Sequence, residues 1–148
     1  MNDLKEELAI ERYKFILAKI QHLDESLYKN IGFVAKFVTA IISAVASILV
    51  LLESKKIANE IAMIIINLLS YISAFTCLLF IFFTLAIMFS WYDYRKEEVE
   101  LLNRCEADLG RKAPSFKGVL RWTETWFLIA LLIIGIISLN LELILGAL

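Results

Sequence analysis

The feature that most limits what this chain can fold into is the segregation of its apolar residues into three long blocks. Residues 31–52 (IGFVAKFVTAIISAVASILVLL) hold one charge, Lys36, near their start. Residues 57–91 are interrupted only by Asn, Ser, Thr and the single acid Glu60, and residues 126–148 carry Asn140 and Glu142 toward their far end. A helix rises about 1.5 Å per residue, so about 20 apolar residues cross a hydrocarbon core of about 30 Å. The chain is 60% hydrophobic over 148 residues, against roughly 45–50% for a soluble domain. A chain this short cannot bury such an excess in its own interior. These blocks predict an all-α integral membrane protein whose solvent is the lipid bilayer.

The block 57–91 is too long for one plain crossing and too short for two with a turn between them. Its middle (NLLSYISAF) has no Gly, Pro or charge to make a turn. It therefore reads as one long helix that crosses over about 64–89, with its first turns (IANEIAM) partly outside. The tetrapeptide ESKK at 53–56 then closes a transmembrane hairpin over 31–91. A third transmembrane helix lies in 125–148, residues 1–30 form an N-terminal amphipathic helix, and 92–124 form a short helical loop.

Cations set the orientation. Residues 1–30 hold Lys5, Arg12, Lys14, Lys19 and Lys29; residues 92–124 hold Arg95, Lys96, Arg104, Arg111, Lys112, Lys117 and Arg121. The hairpin holds only Lys55 and Lys56. The positive-inside rule places the N-terminus and the 92–124 loop in the cytoplasm and the C-terminus outside. Trp91, Tyr92 and Tyr94, followed at once by Arg95 and Lys96, match an interfacial aromatic belt with cationic anchors, and Trp122 and Trp126 match a second belt where the chain re-enters.

In the N-terminal helix, Asp3 and Glu6 have the spacing of a capping box. Beyond them Tyr13, Ile16, Ile20, Leu23 and Leu27 recur at alternating spacings of three and four. That is a 3.5-residue seam of coiled-coil type, which calls for a long helical neighbour. The candidates are another copy of the chain, a partner protein, or a second cytoplasmic helix predicted from about Tyr94 to Leu109, with Gly110 ending it. A contact between copies is the favoured expectation.

Within the first span, Thr39, Ser43 and Ser47 recur every four residues. Ser70, Ser73, Ala74 and Cys77 give the second span a similar small face. Small residues let helix backbones approach closely in lipid, so these are helix-packing or pore-lining candidates, and the two faces are expected to pack the hairpin together. Lys36 can snorkel to the headgroups, and Glu60 and Glu142 lie toward the outer surface.

Chemistry-bearing patterns are scarce. His22 is the only histidine and has no nucleophile or ligand at a useful spacing; no Gly-rich phosphate loop or H-E-x-x-H run occurs. Cys77 and Cys105 share no motif. The expectation is no catalytic residue, no metal and no cofactor: not an enzyme. A net charge of −1 gives no footprint for nucleic acid. The opening MNDLKEELAIERYK predicts no cleavable signal peptide.

The segment ERYKFILAKIQHLDESLYKNIGF, running from the charged helix into the first span, resembles the juxtamembrane helix of small helical membrane proteins of bacterial antiphage defence systems. The membrane component of the Kiwa system is one such protein. The resemblance implies an oligomeric inner-membrane effector of a defence or stress system that perturbs the membrane or forms a pore. Alternatively it implies a membrane anchor or sensor whose cytoplasmic helices recruit a soluble partner. It assigns no functional residue.

Overall fold

A computed structural model describes residues 2–105, 112, 114–115 and 122–141, with side chains from residue 6 onward. Helix α1 spans Asn2–Glu53, α2 spans Asn59–Arg104 and α3 spans Thr123–Leu139. All regular structure among the described residues is helical. The only proline of the chain is Pro114, so nothing removes a backbone donor or forces a kink in α1 or α2. The helix α1 is already formed at Asn2, one residue before the Asp3 cap that the sequence suggests.

The block 57–91 is a single helix, as its lack of breakers predicts, and α2 continues past Tyr94 to Arg104 with no interruption. The separate helix expected over 94–109 is therefore the tail of α2. Cys105 lies in a turn, and Leu109 and Gly110 fall outside the described residues. Two helices, α1 and α2, are long and apolar enough to cross a membrane, while α3 is a shorter apolar helix. Their most apolar stretches are only 11% and 17% buried. The core helix of a soluble protein would show the opposite.

The turn after α1 is built by hydrogen bonds. The Lys56 amide donates to the Leu51 carbonyl and the Lys55 amide to the Leu52 carbonyl, both at 3.0 Å. With Lys55 at a φ of 56°, this is the Schellman arrangement that satisfies the last carbonyls of a helix. Ile57, just past it, packs with Leu52 against Ile48, Ala62 and Ile66.

The chain divides into two compact units: residues 1–29 with 84–125, and residues 30–83 with 126–148. The described cations that the sequence assigns to one side of the membrane, Lys5, Arg12, Lys14, Lys19, Lys29, Arg95, Lys96, Arg104 and Lys112, belong to the first unit; Lys36, Lys55 and Lys56 belong to the second.

In the second unit, α2 meets α3 through small residues. The Ser73 and Ser138 hydroxyls are 2.8 Å apart. A Cβ built on Gly135 would lie 3.6 Å from the Cys77 Cβ, so the two helix surfaces approach closely. Ser70 is buried and donates to the Ile66 carbonyl at 2.9 Å, and Ala74 is half-buried. The matching face of α1 does not join them. Thr39, Ser43 and Ser47 are exposed, and their hydroxyls donate to the carbonyls of Ala35, Thr39 and Ser43 at 2.9, 2.8 and 2.8 Å. The hairpin is thus not packed through two small faces. The small face of α2 is taken by α3, whose Gly135 and Ser138 match it. Larger residues of α1, Val34 and Ile48, are the buried ones.

Candidate membrane-interface site

The first unit is built on the seam of α1. Ile16, Ile20 and Leu27 are 0%, 4% and 3% exposed, and Tyr13 and Leu23 are half-buried. This burial lies within one chain, where the tail of α2, one of the neighbours the seam allows, lies alongside it. The two segments run antiparallel. Phe15 meets Tyr94 edge to face at 6.5 Å, and Arg12 pairs with Glu97. Further along, Leu27 shares a cleft with Trp91 and Arg95. The same heptad spacing continues beyond Leu27 to the buried Val34 and Ile48.

Phe15 presents its ring to two cations, the Arg12 guanidinium at 5.1 Å and the Lys19 ammonium at 5.4 Å. Half of Arg12 faces solvent, so its pair with Glu97 contributes at most about 1 kcal/mol. The deeper pair is different in kind. Glu98 is fully buried, and its Oε2 accepts from Arg95 at 2.8 Å, with Arg95 itself 27% exposed. The Arg95 guanidinium also lies 5.2 Å from the centre of the Trp91 ring. No sequence motif singles out Glu98. Its signal was there in the register: Ser70, Cys77, Thr84, Trp91 and Glu98 are spaced by seven, and all but the half-buried Trp91 are buried.

Trp91 and Trp122 come together, with ring centroids 5.5 Å apart and planes tilted by 59°. They close one wall of a cleft of about 300 Å³ whose other residues include Asp24, Tyr28, Arg95 and Glu124. Burial pushes the Asp24 carboxyl above its usual value, and Arg95 pulls it part of the way back. The other anchor residues do not share this site: Tyr92 and Tyr94 are half-buried on α2, and Trp126 is 62% exposed.

The chain matches no family model, no curated protein and no solved structure.

Chemically, the cleft can bind and orient a polar group. It places neither a histidine nor a cysteine among its walls, and no group of three His, Cys, Asp or Glu able to hold a metal exists among the described residues. His22 is exposed on α1. Each of the cleft's elements lies beside the end of an apolar block: Tyr28 three residues before 31–52, Trp91 at the close of 57–91, and Trp122 four residues before 126–148. Aromatic rings with one polar edge suit such a boundary.

Proposed function

We propose that the chain is a three-span protein of the bacterial inner membrane, with its N-terminus inside and its C-terminus outside. In this reading it assembles with copies of itself and acts as an effector that perturbs the membrane or forms a pore, in a defence or stress system. The observation that carries the reading is the outward ladder of Thr39, Ser43 and Ser47 on α1. A small hydroxyl-bearing face on an apolar helix is where another helix can approach closely in lipid. It also supplies polar groups for a wet path that three spans cannot enclose alone. The cation asymmetry and the resemblance of the juxtamembrane segment support the location and the role.

The test is induced expression of the chain alone, with membrane potential followed by a voltage-sensitive dye and stoichiometry by native mass spectrometry. Loss of potential together with a multimer is expected, and Ser43→Leu should reduce both. A monomer that leaves the potential intact would overturn the proposal.

A second reading is favoured by a specific feature of the first unit. Ala9, Ile10, Tyr13, Leu101 and Leu102 line a groove of about 680 Å³ between the start of α1 and the end of α2. Such a groove suits an anchor that recruits a soluble partner through its cytoplasmic helices. Loss of potential only when a partner is co-expressed would select this reading over the pore.

A further inference from the structure

Among its described residues, the cleft at Trp91 and Trp122 holds more acids than cations. Arg95, the cation among them, is paired with the fully buried Glu98 at 2.8 Å and also acts on Asp24. Asp24 and Glu124 remain in the same cleft. The aromatic wall adds to the negative potential, because ring faces attract cations. One ring face, that of Trp91, holds the Arg95 guanidinium, while Trp122 and Tyr28 also line the cleft. Two carboxylates beside aromatic rings are a recognition set for an ammonium group, and the partial burial of Asp24 leaves it with less water to satisfy its charge. The cleft's residues flank the ends of all three apolar blocks, the depth at which lipid headgroups lie.

We infer that this cleft binds the primary ammonium of an ethanolamine-type phosphodiester headgroup from the bilayer, with Asp24 and Glu124 receiving the ammonium and Trp122 covering it. Arg95, at the wall, has donors to offer the phosphodiester beyond the one bonded to Glu98. An anionic glycerol headgroup gains nothing from Asp24 or Glu124 and is repelled by them, so the site discriminates by headgroup charge. This assignment rests on the membrane reading above.

The experiment uses the full chain in detergent with equal amounts of phosphatidylethanolamine and phosphatidylglycerol, and counts lipids retained in native mass spectrometry. Wild type should keep the ethanolamine lipid about fivefold over the glycerol lipid, the scale of a partly desolvated cation–aromatic contact. The double variant Asp24→Asn, Glu124→Gln should bring the ratio close to one. It keeps both side-chain shapes and removes a partly buried charge, so folding is not at risk. Soluble phosphoethanolamine is the second arm; displacement of the lipid by it at micromolar concentration would keep the ammonium site and assign its source to the aqueous phase. Equal retention of both lipids by wild type, or an unchanged ratio in the variant, would overturn the inference while leaving membrane insertion standing. Release of the protein from membranes by alkaline carbonate would instead overturn the membrane reading and this site with it.

Discussion

Replacing Arg95 with Met should destabilise the protein by about 3 kcal/mol, through the carboxylate it leaves behind. Breaking a buried ion pair by removing one partner costs about 3–5 kcal/mol, because the remaining charge has lost both water and its counter-ion. Glu98 meets that condition, being 0% exposed and 2.8 Å from the guanidinium. Two features place the expected value at the low end. Arg95 is 27% exposed, and Glu98 has further interactions besides this pair. Methionine keeps most of the apolar stem, so lost packing adds little. Glu98→Gln should cost less, about 1–2 kcal/mol, because the amide can still accept from Arg95 and the guanidinium reaches water. The double variant should recover part of the loss, with a coupling of about 1–3 kcal/mol. Reversible unfolding in mixed detergent micelles, followed by circular dichroism, measures all three. An Arg95→Met protein within about 0.5 kcal/mol of wild type, the usual range for surface changes, would refute the reasoning and show that Glu98 is sustained by its other contacts alone.

Lys55→Gly should stabilise the hairpin by about 1 kcal/mol, since a side chain in the left-handed region costs about 1–2 kcal/mol that glycine avoids; thermal unfolding reads it. Asp24→Asn should raise stability at neutral pH. The folded protein holds the Asp24 carboxyl above its usual value, so the contribution of Asp24 is most favourable below pH 3.8 and is lost as pH rises through the higher folded value. The gain of the variant should therefore shrink toward acid, which a pH series of unfolding curves would show. In the second unit, Ser73→Ala should cost only about 0.6 kcal/mol, whereas Gly135→Leu should part α2 from α3 and lower folded yield.

Much of the helical plan is legible in the sequence because it follows from local rules. The turn near 53–56 follows from four polar residues between apolar blocks, and the single helix of α2 follows from the missing breakers in NLLSYISAF. What the sequence does not carry is the identity of each neighbour. The seam from Tyr13 to Leu27 states that a helix lies alongside, but the same spacing would serve a second copy or the tail of α2. The faces Thr39–Ser43–Ser47 and Ser70–Ser73–Cys77 read alike, yet one is exposed and the other buried. Their fates are decided by Gly135 and Ser138 on α3, a long-range match that no local window contains. Glu98 escapes a local reading for a related reason. Among the alternating charges of 93–104 it looks ordinary until the heptad beginning at Ser70 is carried through Trp91 to reach it. The Asp24–Trp91–Trp122–Glu124 cleft joins three distant stretches, and only its belt residues Trp91 and Trp122 carry a local sequence signal.

The ladder of hydroxyls on α1 has a consequence for how association would be controlled. Thr39, Ser43 and Ser47 each donate to a carbonyl one turn back, so on a lone copy in lipid none of these three hydroxyls is in need of a partner. When a second helix arrives, a hydroxyl can exchange its own carbonyl for one across the contact, and the number of bonds is the same before and after. Hydrogen bonding then gives almost no preference between separate and assembled copies, and the balance falls to close packing and to concentration. Such an assembly would follow copy number steeply, silent at low dose and abrupt above a threshold. In the effector reading, that would let a cell carry the protein safely until its level in the membrane rises.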